Sequence, residues 1–260
     1  MTGEGECERT LITIPRRGVY VKHVESDAVV IDPNHMIFHE EGEVYRLSHP
    51  YGCGDDGVWI WIDDSLLRDL LASHDPEAHD RAAHFRAGSI PLASDLVLLE
   101  RQLIRLLARS HSIERLEVEE ALIHFVDRAL ERQARAGGVA PDRRARRSTR
   151  AAHAKIAERA QAFLAADPGA RPGLDEIADA AHVSVSHLCR VFRRMTGSSL
   201  HAYQSRLRMR AGLDRVLDGE DNLTNLAFDL GYSSHSHFTN AFRREFGVTP
   251  SAVRDSSGRG

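Results

Sequence analysis

The feature that most constrains this 260-residue chain is a short pattern that occurs twice near its C-terminal end. Leu174–Gly197 and Leu223–Pro250 each combine a short apolar helix pattern, a tight turn and a second helix pattern rich in Ser, His and Arg. Two short helices joined by such a turn are typical of a helix-turn-helix motif. The sequence therefore predicts two such motifs, the first motif at residues 174–197 and the second motif at residues 223–247.

In the first motif, apolar residues at helical spacing predict a short amphipathic helix whose inward positions are Leu174, Ile177, Ala178 and Ala181. Asp175 and Glu176 lie in its first turn, where the helix dipole favours negative charge. We expect the hydroxyl of Ser184 to cap the next helix. That helix places Leu188, Val191 and Phe192 inward and leaves its polar side chains outward, namely Ser186, His187, Arg190, Arg193 and Arg194.

The second motif repeats this arrangement with different residues. Its first helix has the inward stripe Leu223, Leu226, Ala227 and Leu230. Gly231 then supplies a permissive backbone for the turn, and Ser233 or Ser234 can cap the next helix. The inward face of that helix is Phe238, Ala241, Phe242 and Phe246, and its outward face is His235, Ser236, Thr239, Asn240 and Arg243. Gly247 and Pro250 are expected to end it.

The segment Ser199–Asp218 between the motifs contains strong helix formers and no proline, so it predicts a connecting helix. A helix of twenty residues is roughly 30 Å long. That length is close to the ~34 Å between successive major-groove faces of B-DNA, so both second helices are expected to enter one face of a duplex. Arg206, Arg208 and Arg210 on this helix either contact phosphate or are solvated.

These residues carry a family resemblance over about Ala151–Arg254. The segments "VSVSHLCRVFRRMTG", "YQSRLRMRAGLDRVL" and "LAFDLGYSSHSHFTNAFRREFGVTPSAVR" resemble the DNA-binding domain of AraC/XylS-type transcription regulators. The most specific marks are the Gly-Tyr turn, the run of three Phe spaced by four, and the closing Gly-x-x-Pro-x-x-x-Arg. The resemblance implies two helix-turn-helix subdomains that are joined by a helix and bind adjacent major grooves.

Aligning these motifs carries base-contacting positions onto the chain. The resemblance implies base contacts by Ser186, Cys189 and Arg190 in the first motif and by His235, Ser236, Thr239 and Asn240 in the second. Arg can bind guanine in a bidentate manner and Asn can bind adenine in the same way, so Arg190 and Asn240 have the best chemistry for base recognition. Cys189 is as well suited to packing as to base contact. His235, Ser236 and Thr239 are as well suited to phosphate contact as to base contact. Phosphate contacts are expected at His187, Arg193, Arg194 and Arg243.

Charge and composition divide the chain. Residues 1–139 contain 15 Lys and Arg against 25 Asp and Glu, a net charge of −10, whereas residues 140–260 have a net charge of +6. A basic segment fits phosphate binding, which supplies most non-specific affinity for DNA. Paired Gly, a Pro and a cluster of Arg predict a linker at residues 137–150, either solvated or an arm that touches phosphate. We therefore predict a sensor and dimerisation domain at residues 1–136 and a DNA-binding domain at residues 151–254.

The first of these domains divides again, which predicts an α+β fold for the chain. Short β-branched and aromatic runs at residues 10–62 predict a small antiparallel sheet or partial barrel, and residues 64–136 are predicted to be helical. Regulators of the resembled family often have a cupin-like barrel here that binds a small effector, although this segment is short for a complete barrel. The C-terminal domain is predicted to be all-α.

Two long helices are expected within residues 94–133. Their apolar stripes are Leu96, Leu99, Leu103 and Leu106 in one helix and Leu122, Phe125, Ala129 and Leu130 in the other. Such stripes pack either against the neighbouring sheet or against a second copy of the chain. In the resembled family this region commonly dimerises, so the resemblance favours packing against a second copy.

The chemistry of an enzyme is not evident in the chain. His35, His39 and His49 lie near acidic residues, but the first two are four residues apart, at opposite ends of a short strand, so no metal and no cofactor are predicted. The three cysteines are scattered, and Cys53 between two glycines is a weak candidate for a redox-sensing thiol. We therefore expect no catalytic residues and no enzyme activity.

The sequence favours a DNA-binding transcription regulator. Its expected partners are double-stranded promoter DNA, RNA polymerase, a second copy of the chain and a small effector, with no membrane. Met1–Glu8 is acidic and no apolar run approaches the ~20 residues of a membrane span, so a cytoplasmic location is expected. Two alternatives remain open, a metal-dependent cupin-type enzyme fused to a DNA-binding domain and a constitutive DNA-binding protein without a ligand.

Overall fold

The computed structural model describes residues 2–25, 27–49, 56–80, 84–108, 115–136 and 147–257. The chain separates into two compact units, Met1–Arg147 and Ser148–Gly260, called here the N-terminal domain and the C-terminal domain. The first contains antiparallel sheets and helices, and the second is helical throughout its described part, so the predicted α+β fold class is confirmed. The proposed linker at 137–150 lies mostly outside the described residues, and its last four residues form the first turn of a helix.

The N-terminal domain has two four-stranded antiparallel sheets. One has the strand order β1-β6-β3-β4 and the other has the order β7-β2-β5-β8. The strands are β1 (Thr2–Glu6), β2 (Leu11–Arg17), β3 (Tyr20–Val24), β4 (Asp27–Ile31), β5 (His35–His39), β6 (Val44–Ser48), β7 (Asp56–Trp61) and β8 (Ser89–Pro91). The sheets pack on each other through one apolar cluster with members from both, namely Tyr20, Ile31, Ile37 and Leu47.

Two strands lie outside the predicted β-rich segment. β1 precedes it and has the sequence Thr-Gly-Glu-Gly-Glu, which lacks the alternating apolar pattern of a half-buried strand. Its backbone pairing with β6 makes it a strand. β8 interrupts the predicted helical segment and has only three residues, which pair with β5. In both cases the tertiary partner, rather than the local sequence, decides the structure.

Three helices complete the N-terminal domain: α1 (Asp64–His74), α2 (Ser94–Ala108) and α3 (Arg115–Arg135). Both α1 and α2 pack against α3. Asp95 on α2 accepts a hydrogen bond at 2.6 Å from Arg132 on α3. Burial alone would raise the pKa of Asp95, but the hydrogen bonds and charges of Arg132 and Arg128 hold it below its usual value. Ion pairs within one chain therefore join the two helices that were predicted from the apolar stripes.

The apolar stripes of α2 and α3 do not form a single seam for a second copy. Most of their residues are buried within the N-terminal domain, including Leu96, Leu103, Phe125, Ala129 and Leu130. For these residues the intermolecular interpretation is wrong, because the domain itself already covers them. A separate set of side chains is exposed on the same helices, at Leu107, Leu116 and Ile123.

The C-terminal domain consists of seven helices within the described residues. They are α4 (Arg147–Ala166), α5 (Leu174–Ala181), α6 (Val185–Thr196), α7 (Leu200–Leu217), α8 (Leu223–Asp229), α9 (His235–Phe246) and α10 (Pro250–Ser257). The pairs α5–α6 and α8–α9 lie where the two motifs were predicted, and α7 lies where the connecting helix was predicted. Helices α4 and α10 were not predicted, although Ile156, Ala160 and Leu164 give α4 an i, i+4, i+8 apolar stripe.

Each motif has its own core, and α7 contributes to both. The first core combines side chains of α4, α5 and α6 with Leu200, Tyr203 and Leu207 from the N-terminal half of α7. In the second half of α7, an added Cβ at Gly212 would lie 2.9 Å from Cδ1 of Leu230, so this glycine permits close packing on the second motif. Among the described residues, no helix is both long enough and apolar enough to cross a membrane.

Candidate nucleic-acid interface

The turn of the first motif is closed by a residue in an unusual conformation. His182 follows α5 with a φ of 58°, in the left-handed region that few residues other than glycine adopt. Its backbone N–H donates to the carbonyl of Asp179 at 3.0 Å, which ends the helix. Ser184 occupies the N-cap position of α6, but its hydroxyl makes no capping hydrogen bond and lies 3.4 Å from the hydroxyl of Ser186 instead. The prediction that Ser184 caps α6 through its side chain is therefore wrong.

Helix α6 is strongly two-sided. Leu188, Val191 and Phe192 are buried in the first core as predicted, whereas Leu174, the first residue of α5, is 46% exposed although it was predicted to be inward. The polar positions assigned to DNA contact lie on the open side, where Ser186, Cys189, Arg190, Arg193 and Arg194 are all exposed. This side of α6 presents hydroxyl and guanidinium donors to the solvent.

His187 differs from its neighbours because it is half-buried. Its ring packs edge-on against His153 of α4, with 5.9 Å between the centroids, and its Nε2 makes no hydrogen bond within the described residues. Burial, followed by the charges of Arg194 and His187, lowers the pKa of His153. The sequence pattern does not single out His153, because its role depends on how α4 packs beside α6.

The turn of the second motif is built from different residues. Gly231 adopts a φ of 73°, as its predicted role requires. The hydroxyl of Ser234 accepts a hydrogen bond from the backbone N–H of His237 at 3.1 Å and so caps α9, which resolves the choice between Ser233 and Ser234. Ser233 instead places its hydroxyl 3.1 Å from Nδ1 of His237. His237 is exposed in the first turn of α9 and was not among the predicted DNA contacts.

Helix α9 also separates an aromatic inner face from a polar outer face. Phe238, Ala241, Phe242 and Phe246 are buried as predicted. Ser236, Asn240 and Arg243 are exposed, whereas His235 and Thr239 are half-buried and face each other, with 3.4 Å between Nε2 and Oγ1. The outer face of α9 thus has mostly neutral hydrogen-bonding groups, and its arginines lie toward the end of the helix.

The arginines of the connecting helix lie in a different environment from the one predicted. Arg208 is 8% exposed and Arg210 is 5% exposed, so neither of the two alternatives for these residues, phosphate contact or solvation, fits their burial. The guanidinium of Arg208 lies over the ring of Tyr232, 5.7 Å from its centroid. Arg206 is half-buried and donates a hydrogen bond to the Ser198 hydroxyl at 2.8 Å. Arg206, Arg208 and Arg210 therefore do not form an exposed row of cations on α7.

The N-terminal domain contains a buried polar cluster between strands β2, β3, β5 and β6. The ammonium of Lys22 pairs with the carboxylate of Glu43, and Glu43 also lies 3.6 Å from Nδ1 of His39. Nε2 of His39 lies 3.2 Å from the hydroxyl of Thr13. Burial lowers the pKa of Lys22 and of His39. Burial alone would raise the pKa of Glu43, but the neighbouring His39 and Lys22 side chains hold it below its usual value.

The three histidines that lie near acidic residues in the sequence, His35, His39 and His49, contact different partners. His35 lies 3.1 Å from Asp32, His39 is in the polar cluster, and the ring of His49 packs on Tyr20. Among the described residues, no group of three or more His, Cys, Asp or Glu side chains is arranged to hold a metal ion. Cys53 lies outside the described residues. The described residues do not bring these three histidines together at one site.

Comparison with known proteins agrees with the geometry of the C-terminal domain. A family model described as "Helix-turn-helix domain" matches residues 177–256. The chain is 30% identical over 86 residues to the HTH-type transcriptional regulator MtrA of Neisseria gonorrhoeae; the aligned residues cover 33% of this chain and 29% of MtrA. The chain is 34% identical over 80 residues to the HTH-type transcriptional activator RhaS of Escherichia fergusonii, and these residues cover 31% of this chain and 29% of RhaS.

Solved structures include similar chains at low overall superposition. A regulator with an AraC-type DNA-binding domain from Chromobacterium violaceum is 23% identical, covers 40% of this chain and 93% of its own, and superposes with a TM-score of 0.38. ToxT of Vibrio cholerae is 13% identical, covers 100% of this chain and 95% of its own, and also has a TM-score of 0.38.

The fold and the exposed helix faces define a protein with a double helix-turn-helix domain. Residues 177–256 match a helix-turn-helix domain, in agreement with the resemblance to the DNA-binding domain of AraC/XylS-type regulators. The chain spans 29% of the length of each of the two relatives above.

Proposed function

We propose that the chain is a sequence-specific DNA-binding transcription regulator that places α6 and α9 in adjacent major-groove segments. One observation carries the proposal: both helices bury their apolar faces in separate cores and leave the side chains of Arg190 and Asn240 exposed, with no side-chain hydrogen bond or ion pair to the described residues. Arg190 is assigned to guanine and Asn240 to adenine, because each side chain can form two hydrogen bonds with that base.

The remaining contacts are assigned by chemistry and exposure. Ser186 and Cys189 precede Arg190 on α6, and His235, Ser236 and Thr239 share the N-terminal half of α9 with Asn240. We assign these to bases at the edges of the two groove segments. Phosphate contacts are assigned to side chains at the margins of the same faces, namely His187, Arg193, Arg194 and Arg243.

Selection of bound fragments from random duplex DNA with the purified full chain tests this function. The expected result is a preferred site with two conserved parts, one for each motif. Binding to that site should weaken steeply as salt rises, since neutralised phosphates release counterions. A pool with no preferred sequence, or an affinity that is flat between low and physiological salt, would contradict the proposal.

We further propose that the N-terminal domain senses a small effector and holds a homodimer. The exposed apolar residues Leu107, Leu116 and Ile123 on α2 and α3 favour a second copy as their partner. Dimerisation would double the DNA contacts and so raise the affinity for a repeated site. Sedimentation equilibrium tests it: the wild-type chain should be dimeric, and Leu116→Glu should be monomeric with an unchanged circular dichroism spectrum.

The regulatory output is proposed from the relatives. RhaS is named a transcriptional activator, so we propose that this chain activates transcription at its site in the cytoplasm by recruiting RNA polymerase. Thermal-shift screening of small metabolites tests whether an effector binds the N-terminal domain. A set of binding metabolites would favour an effector-responsive regulator, whereas a constitutive regulator would bind none of them.

A further inference from the structure

We propose that residues 167–171, in the loop between α4 and α5, are a clamp that fixes α9 relative to α6, with Gly169 as its positioning residue. The clamp rests on the proposed DNA-binding function, since its purpose is to hold α6 and α9 at the separation that one duplex requires. It adds a contact between the motifs that the connecting helix α7 does not supply.

The loop has a fixed shape of its own. The carboxylate Oδ1 of Asp167 accepts hydrogen bonds from the backbone N–H of Gly169 at 3.0 Å and of Ala170 at 3.2 Å. The carbonyl of Ala170 in turn accepts a hydrogen bond at 2.8 Å from the side-chain amide of Gln204 on α7. These bonds hold the loop both to itself and to the connecting helix.

The loop also touches the turn of the second motif directly. A Cβ added at Gly169 would lie 2.8 Å from the backbone carbonyl oxygen of Asp229, the last residue of α8. A Cβ added at Gly231 would lie 2.6 Å from Nε of Arg171 and 3.3 Å from the carbonyl oxygen of Gly169. Gly169 therefore permits a backbone approach that a Cβ would push apart, whereas at Gly231 the nearest atom belongs to the flexible side chain of Arg171, which can move.

The second-motif turn is held from its other side by α7. Arg215 donates a hydrogen bond at 2.8 Å to the Asp229 carboxylate, and the guanidinium of Arg208 lies over the ring of Tyr232, 5.7 Å from its centroid. Tyr232 lies two residues before Ser234, the N-cap of α9. The position of the turn, fixed between the loop and α7, therefore sets the position at which α9 begins.

A second contact between the motifs changes what DNA binding requires. Two motifs joined by one helix alone would lose orientational freedom on binding, whereas motifs that are already fixed lose little. The structure therefore predicts that the chain binds both parts of its site at one spacing and discriminates against others.

The variant Gly169→Ala tests the clamp, and Gly173→Ala is its matched control in the same loop. An added Cβ at Gly173 would lie 3.7 Å from the Glu176 carboxylate, an ordinary contact. Affinity is measured for the selected two-part site, for each half alone, and for the same site with one base pair inserted between the halves. Gly169→Ala should lose about tenfold in affinity for the two-part site, keep its half-site affinity and tolerate the insertion better than wild type. Gly173→Ala should match wild type in all three.

A distance measurement tests the clamp without DNA. Spin labels are placed on the exposed Cys189 of α6 and on Arg244→Cys of α9, in the full chain with Cys53→Ser and with the buried Cys7 retained. Wild type and Gly173→Ala should give a narrow distribution of distances, and Gly169→Ala a broader or shifted one. Gln204→Leu, which removes the bond to Ala170 without adding atoms to the contact, should broaden the distribution in the same direction and serves if Gly169→Ala does not fold.

The outcomes separate the two proposals. A narrow, unchanged distribution in both Gly169→Ala and Gln204→Leu overturns the clamp, even where the wild-type chain binds a two-part site. A wild-type chain that selects no preferred sequence overturns the DNA-binding function, and the label distances then decide the clamp by themselves.

Discussion

The two helix-turn-helix motifs reach one geometry with different chemistry. The first closes its turn with His182 in the left-handed region and leaves α6 without a hydroxyl cap, whereas the second uses Gly231 and the Ser234 cap. The first core contains three alanines from α4 and α5 among its aliphatic residues, and the second contains three phenylalanines in a row on α9. Similar outlines therefore do not imply similar sensitivity to mutation.

Their outer faces differ in the same way. Helix α6 exposes three arginines in its last seven residues, and α9 exposes Ser236 and Asn240 in its first half. A cationic side chain raises the affinity for DNA through any phosphate, whereas a neutral amide raises it by hydrogen bonding to particular base edges. We infer that the first motif contributes more of the general attraction to DNA and the second more of the neutral hydrogen bonding to bases.

The largest expected effect tests the aromatic core of the second motif. Phe242→Ala removes a fully buried ring that contacts both Phe238 and Phe246 and should cost about 3–5 kcal/mol in the free energy of unfolding. Phe228→Ala on the exposed side of α8 is the control and should change it by less than about 0.5 kcal/mol. Urea denaturation followed by circular dichroism measures both, and equal losses would show that Phe242 is not a core residue.

The next effect compares base recognition by the two motifs. Arg190→Ala and Asn240→Ala should each cost about 1–3 kcal/mol of discrimination at one base pair, in different halves of the site. The measurement is the affinity of each variant for a set of single-base substitutions of the selected site. If either variant weakens binding to every sequence equally, that residue contacts phosphate and its assignment to a base is wrong.

A smaller effect compares the two helix caps. Ser234→Ala removes a hydroxyl that accepts from the His237 N–H and should lower the free energy of unfolding by about 1 kcal/mol. Ser184→Ala removes a hydroxyl that makes no capping bond, so its effect should be only a small fraction of that. Thermal denaturation of both variants side by side checks the difference. Equal destabilisation by the two substitutions would mean that the Ser184 and Ser234 hydroxyls contribute equally to stability.

The smallest effect concerns pH and the first motif. Burial and the charges of Arg194 and His187 lower the pKa of His153 below its ordinary value of 6.5. The unfolded chain therefore binds a proton at this site more readily than the folded chain, and stability should fall as pH drops below 6.5. His153→Gln should show a shallower loss of stability between neutral and mildly acidic pH in urea titrations. An identical slope in the two proteins would rule out this contribution.

Sequence patterns predict the motifs well because their two faces differ so strongly. The inward positions of α6, α8 and α9 follow directly from helical spacing, and the polar residues assigned to DNA lie on the exposed or half-exposed faces. Patterns fail where a tertiary partner decides the environment. Arg208 is a cation on a helix, but Tyr232 lies beside it in the fold and buries it. The strand β1 exists only because β6 lies next to it.

The candidate site shows the same division. Exposure of Arg190 and Asn240 follows from the motif pattern, whereas the contact between His153 and His187 depends on how α4 packs beside α6. The approach of Gly169 to Asp229 joins residues sixty positions apart. The spacing of apolar residues along the sequence does not predict such contacts, since they depend on how the helices pack on one another.

The division of α7 between two cores limits how such a domain can be rearranged. A protein engineer who wished to exchange the second motif for one with another preference would have to cut within a helix whose residues Leu200, Tyr203 and Leu207 complete the first core. A graft made after Leu207 would have to reproduce the close packing at Gly212 in the incoming part. The two motifs look like interchangeable cassettes in the sequence, but new specificity is more readily obtained by changing side chains on the surfaces of α6 and α9.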